Sequence, residues 1–164
     1  MSKGTAKGDG MSETSGSKAN ADRRAFMAIL AAAHAEEITT ALQRVAADVA
    51  FSQLRRPETG LVMLWGRMGG SGSAFNFGEA TVTRANVRLE SGETGFACIL
   101  GRDPVKAKAA ALADALWQRA EFNQHLHAEI TVPVQRRLER EARIKAEETA
   151  ATKVNFFTMV RGDD

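Results

Sequence analysis

The sequence predicts an α+β fold, an antiparallel β-sheet flanked by N-terminal and C-terminal helices. Three features carry that reading. Apolar residues recur at helical spacing from Phe26 to Val45. From Val49 to Leu100 the pattern changes to strands joined by short turns, which favours antiparallel pairing. Asp103-Pro104 then opens helical sequence again, a capping acid followed by proline at the first helical position.

Residues 1–21 are rich in Gly, Ser, Lys and Thr and have almost nothing to bury, so they read as a disordered N-terminal tail. Residues 22–164 read as a single domain ending in an extended helix and an apolar tail. Asp22 is placed to cap the first helix, whose buried face carries Phe26, Ile29, Leu30 and Ala33. Ile38, Ala41, Leu42 and Val45 repeat the spacing, and His34 either interrupts one long helix or separates two. A turn at Arg56-Pro57-Glu58-Thr59-Gly60 precedes Leu61-Val62-Met63-Leu64-Trp65, which is apolar on both faces and reads as a buried strand. The loop Gly69-Gly70-Ser71-Gly72-Ser73 follows, and Phe75 and Phe77 share a face of the next strand. There the alternation is clean: Thr83, Ala85, Val87 and Leu89 face one way, Arg84, Asn86 and Arg88 the other.

Ser91-Gly92-Glu93-Thr94 makes a hairpin turn into Phe96-Ala97-Cys98-Ile99-Leu100, apolar throughout. After Asp103-Pro104 the buried stripe is Val105, Ala109, Leu112 and Leu116. A second helix starts near Pro133 with a narrow stripe (Val134, Leu138, Ala142, Ala146) and is otherwise charged, with Glu139–Arg143 and Glu141–Lys145 spaced to pair. Such a helix gains little from its own domain and suits a bridging or partner-bound role. The chain ends on Phe156, Phe157, Met159 and Val160, an apolar cluster that either completes the core or anchors a partner.

Composition narrows function mostly by exclusion. The 22 Lys+Arg against 20 Asp+Glu are too balanced for bulk nucleic-acid binding. Trp65 and Trp117 read as core, because basic and aromatic residues do not interleave as a single-strand binder requires. No apolar run approaches the ~20 residues of a membrane helix, and the first twenty residues lack a secretory apolar stretch, so the expected location is cytoplasmic. The lone Cys98 reads as inert packing, and His125 and His127, two residues apart in helical or irregular surroundings, are poorly placed to share a metal. No nucleophile motif is present, so no catalytic residue and no metal ligand are assigned.

Two features invite an anion. The glycines Gly69, Gly70 and Gly72 resemble a phosphate-cradling loop but run into a strand and lack a following Lys-Ser/Thr. Arg84 and Arg88 share a strand face, and Arg102 precedes a helix N-terminus. These arginines fit either an anion site or a solvent- or partner-facing row.

Several motifs in sequence order resemble the PhnG family of phosphonate metabolism. They are Glu58-Thr59-Gly60-Leu61, Arg67-Met68-Gly69-Gly70-Ser71-Gly72, Gly78-Glu79-Ala80-Thr81-Val82-Thr83-Arg84-Ala85, Val87-Arg88-Leu89, Gly92, Gly95, Gly101-Arg102-Asp103 and the ending Val154-Asn155-Phe156-Phe157-Thr158-Met159-Val160-Arg161-Gly162-Asp163. The likeness runs from about Arg23 to the C-terminus. It implies a supporting subunit of the carbon–phosphorus lyase core complex, assembled with subunits H, I and J and working with the ATP-binding-cassette-like subunit L. That complex replaces the adenine of MgATP by an alkylphosphonate, with no cofactor bound by this chain. Subunit I, which carries the nucleosidase-like centre, is the expected direct contact. The resemblance assigns no catalytic residue here.

Overall fold

A computed structural model describes residues 10–67 and 72–151. The order is α1 (Gly10–Ala32), α2 (Ala35–Val45), β1 (Phe51–Gly66), β2 (Phe75–Leu89), β3 (Thr94–Leu100), α3 (Pro104–Trp117), α4 (Ala120–Leu126), a π-helical turn (His127–Thr131) and α5 (Val132–Ala151). The strands form one antiparallel sheet in the order β1-β2-β3, with helices before and after it, as the α+β reading expects.

One sheet face is covered and the other is open. Thr83, Ala85, Val87 and Leu89 of β2 and Ala97 and Ile99 of β3 are buried under α3. The strand alternation read from the sequence therefore holds. Helix α3 lies so close that a Cβ on Gly95 would sit 2.0 Å from the Ala111 carbonyl oxygen and 2.5 Å from the Ala115 amide nitrogen. This closeness explains the alanines of α3, since larger side chains would hold the helix off the sheet. Ala109, Leu112 and Leu116 are buried as expected, but Val105 is 59% exposed, because the first turn of α3 overhangs the packed region. Asp103 caps that turn, accepting a hydrogen bond from the Lys106 amide at 2.8 Å.

The other helices close over α3. Phe26, Leu30 and Ala33 of the α1 segment join Ile38, Ala41 and Leu42 of α2 and Leu126, Ile130 and Val134 in the same core. His34 separates two helices, and its amide donates to Glu37 Oε2 at 2.7 Å across the start of α2. Lys106 Nζ and Arg137 Nη2 donate to the carbonyls of Ala31 and Ala32 at 2.7 and 2.9 Å, capping the end of α1 with cations. Helix α1 reaches back to Gly10, so Asp22 lies inside it rather than at its start, and residues 10–21 are helical instead of an unstructured tail. Lys18 to Asp22 bury almost nothing, which is why the packing pattern gave no sign of that extension.

Helix α5 is buried at Val134 and half-buried at Leu138, then exposed throughout, so the expected stripe is covered only at its start. Glu141 pairs with Arg137 at 2.9 Å rather than with Lys145, because Arg137 is already held beside it by Glu37. The chain between Arg55 and Gly60 is not a turn. Strand β1 runs through it, with register irregularities between Gln53 and Arg55 and between Arg55 and Glu58. Leu61, Met63 and Trp65 are exposed, not buried, because β1 and β2 continue as a two-stranded ribbon beyond α3. Trp117 is packed, its ring stacked on Phe26 with centroids 4.2 Å apart.

Candidate functional site

The open sheet face is where the sequence-predicted arginines emerge. Arg84 lies opposite Cys98 of β3 and Glu58 of β1, and Arg88 lies opposite Thr94 and Ser52. Both side chains are exposed, and neither has a hydrogen bond or ion pair among the described residues. Glu58, the acid across from Arg84, is engaged instead by Arg55 at 3.6 Å. Asn86 sits between the two arginines, half-buried, and its Oδ1 accepts no hydrogen bond among the described residues.

Beside these arginines the face is apolar. Phe96 and Leu100 of β3 are large and exposed, and Cys98 between them is an exposed free thiol. This overturns the reading of Cys98 as inert packing. The run Phe96–Leu100 is apolar on both faces, but α3 covers only the face carrying Gly95, Ala97 and Ile99. Periodicity alone did not distinguish such a strand from a doubly buried one.

Arg102 stands just beyond the end of β3, after Gly101, whose φ of +91° favours glycine. The buried Thr83 hydroxyl holds that corner. It donates to the Gly101 carbonyl at 2.7 Å and accepts from the Asp103 amide at 3.1 Å. Its one proton is thus used, so the 3.3 Å contact with Thr59 has the Thr59 hydroxyl as donor.

The three arginines do not converge. Arg88 pairs with the Thr94 end of β3, Arg84 pairs with Cys98, and Arg102 follows Leu100 at the far end. Four residues of extended strand set Arg84 and Arg88 about 13 Å apart at the backbone. They form a row suited to a broad anionic surface more than a cradle for one phosphate. Gly72 lies in a bend before β2, while Gly69 and Gly70 lie outside the described residues. The tail residues Phe156, Phe157, Met159 and Val160 also lie outside them.

Among the described residues no group of His, Cys, Asp and Glu is arranged to hold a metal, and His125 and His127 are exposed on either side of the buried Leu126. A groove of about 620 Å³ opens elsewhere, between α2, α3 and β1, lined in part by Leu42, Phe51, Val105 and Leu112. Lys108 borders it, its ammonium 5.3 Å from the Phe51 ring centre. No helix among the described residues is long and apolar enough to cross a membrane.

A model of the family described as "Phosphonate metabolism protein PhnG" matches residues 21–162, nearly all of the helices and sheet just described. The chain belongs to the PhnG family. A relative from Rhizobium meliloti (strain 1021) is 47% identical over 152 residues, covering 93% of this chain and 97% of the relative. It is named alpha-D-ribose 1-methylphosphonate 5-triphosphate synthase subunit PhnG. The PhnG family match thus spans the open arginine face and the β1–β2 ribbon together with the packed core. The ribbon's exposed Leu61, Met63, Trp65, Phe75 and Phe77 were missed as surface residues by sequence reasoning. Apolar residues on both faces fit a doubly buried strand equally well, so no local signal marked their exposure, and the 16- and 15-residue strands of the ribbon became visible only in the structure.

Proposed function

We propose that the chain is a supporting, non-catalytic subunit of the carbon–phosphorus lyase core complex, needed with its partners to replace the adenine of MgATP by an alkylphosphonate. The observation that carries this is the open sheet face. Arg84 and Arg88, with no ion pair among the described residues, stand beside exposed Phe96 and Leu100, a mixed surface of the kind that another protein covers. The 47% identity to a named synthase subunit supports the same reading. Catalysis then belongs to the assembly, and this chain contributes contact surface. The expected partners are subunits H, I and J with the ATP-binding-cassette-like subunit L, with subunit I in direct contact and the setting cytoplasmic. The MgATP is bound and used by the assembly.

The experiment is reconstitution. The other subunits are purified with and without this chain and supplied with MgATP and methylphosphonate, and adenine release is followed. Full activity requires the chain, while the chain alone releases none. Adenine release at the same rate without it would overturn the reading. Micromolar binding of triphosphate by the isolated chain would instead favour a stand-alone anion-binding domain built on Arg84 and Arg88.

A further inference from the structure

We propose that the outer edge of β3 is a pairing edge, completed in the assembly by an extended, carboxylate-bearing segment of another subunit that adds a fourth strand beside Phe96–Leu100. This rests on the subunit reading above and names the kind of segment which that reading leaves unspecified.

The register fixes which backbone groups point outward. The Gly101 amide donates to the Thr81 carbonyl at 2.8 Å, and the Leu89 amide donates to the Glu93 carbonyl at 2.9 Å. Between those two points the β2–β3 pairing runs without a shift. Residues turned toward the neighbouring strand alternate with residues turned away, so Gly95, Ala97 and Ile99 bond to β2. Thr94, Phe96, Cys98 and Leu100 therefore turn their backbone groups away from it. At one end of this edge α3 supplies the partners. Asp114 Oδ2 accepts the Phe96 amide at 3.0 Å, and Gln118 Nε2 donates to the Thr94 carbonyl at 2.8 Å. At the other end the Phe96 carbonyl and both backbone groups of Cys98 and Leu100 have no partner among the described residues. From Thr94 to Leu100 the strand holds neither a charged residue nor a proline, the usual means of blunting an edge.

The helix layer leaves room for a fourth strand. Helix α3 packs mainly on β2 and β3, and α2 stands on its β1 side, where both helices and β1 line the groove described above. Helix α1 runs along α3, held to Asp114 through Arg23 and to Lys106 through the Ala31 carbonyl. It stands on the β3 side, because Asp114 joins Arg23 to the outward amide of Phe96. Three helices side by side span about 18 Å between their outer axes, whereas three strands span about 10 Å. The layer therefore extends past β3, beneath the place of a next strand. The outer edge of β1 is interrupted by Pro57 and two register irregularities, and its far half carries a balanced Arg67 and Glu79.

Charge selects what is added. Arg84 lies across from Cys98 on the open face and has no ion pair among the described residues. Two strand spacings, about 10 Å, separate the β2 backbone from an added strand, and the short Cys98 side chain leaves that path open to an arginine and a carboxylate. Arg88 and Arg102, also without an ion pair among the described residues, stand toward the two ends of β3. A carboxylate opposite Cys98, with apolar neighbours at two-residue steps against Phe96 and Leu100, complements this face. A second copy fits worse. Its own β3 holds no acid, and pairing two such edges sets arginines against arginines.

The test compares amide hydrogen exchange in the full free chain and in its complex with the other synthase subunits. In the free chain the Cys98 and Leu100 amides should exchange fast, and those of Ala97 and Ile99, bonded to β2, slowly. In the complex the Cys98 and Leu100 amides should slow by about tenfold or more. Cys98→Pro removes an outward donor and no bond to β2, so the melt of the free chain should change little while co-purification weakens about tenfold or more. Arg84→Glu should weaken it severalfold. Exchange at Cys98 and Leu100 as fast in the complex as in the free chain would overturn the added strand and leave the subunit reading intact, whether or not the proline variant folds. Slow exchange there in the concentrated chain alone would make a second copy the occupant and overturn the proposal. Assembly of Arg84→Glu equal to wild type would overturn the acidic character of the segment. A wild-type chain that binds no other subunit would defeat the subunit reading and the added strand with it.

Discussion

Asp114, 1% exposed in the middle of α3, accepts both arms of the Arg23 guanidinium, from Nε at 2.7 Å and from Nη2 at 2.6 Å. The same carboxylate accepts the Phe96 amide at 3.0 Å, so one buried acid ties α1 to α3 and α3 to β3. The guanidinium pKa is raised above its usual value, chiefly by this hydrogen bonding. Arg23→Ala would leave the carboxylate buried with one amide donor. The expected cost is about 3 kcal/mol, the lower end for a broken buried pair, because Arg23 is itself 38% exposed and water can partly replace it. Urea denaturation of the free chain measures this, and a loss under about 1 kcal/mol would show that the bridge is a surface contact.

Gly95 gives a sharper test of how α3 sits. The atoms that an added methyl would meet are backbone, at 2.0 and 2.5 Å, so no rotamer change relieves the clash. Gly95→Ala should therefore cost about 3 kcal/mol or more by overpacking, with the helix forced away from the sheet. Gly78 has open space around its missing Cβ, so Gly78→Ala serves as the control, with little change in the melt. Similar melts for both variants would mean that α3 is not seated on β3 as described.

The elbow between α1 and α2 should show itself in the acid range. Glu37 takes Arg137 Nε at 2.9 Å and Nη2 at 3.1 Å, together with the His34 amide. Burial alone would raise the Glu37 pKa, but the Arg137 hydrogen bonds and the His34 amide outweigh it and hold the carboxyl below its usual range. A depressed pKa stabilises the fold above the unfolded value of about 4.3, and that contribution fades as pH falls through the folded value. Glu37→Gln should thus lower stability by on the order of 1 kcal/mol at pH 7, with the gap to wild type closing below about pH 4. A gap that stays constant down to about pH 3 would assign the effect to packing instead of charge.

What the sequence revealed followed from burial. The core of α2, the alternation of Thr83 to Leu89 and the cap at Asp103 were legible because each rests on local spacing. Leu61 to Trp65 and Phe96 to Leu100 were misread for one reason. Apolar residues on both faces say that both faces want covering, but not whether this chain supplies the cover. The Arg23–Asp114 and Glu37–Arg137 bridges span long stretches of chain, and no local pattern announces them. Arg84 and Arg88 were placed on one face from alternation alone, but their distance from Arg102 became visible only with the register of β2 on β3.

That register supplies the last prediction. Arg84 and Cys98 are direct cross-strand partners on the open face, both exposed, so a thiol reagent on Cys98 reports on whatever covers Arg84. In the free chain Cys98 should label readily. In the reconstituted complex it should be protected, since an ordered partner over Phe96 and Leu100 shields the thiol between them. Arg84→Ala and Arg88→Ala remove exposed groups with no ion pair among the described residues, so each should change the stability of the free chain by no more than about 0.5 kcal/mol. Each should nevertheless weaken assembly, because a guanidinium desolvated against a partner carboxylate counts for more than one in water. The two readouts separate the outcomes. Weak assembly with Cys98 still reactive in the complex would move the arginines' effect to another surface. Protection of Cys98 with normal assembly of both variants would make the face an interface held by its apolar residues, the arginines contributing only charge at its rim.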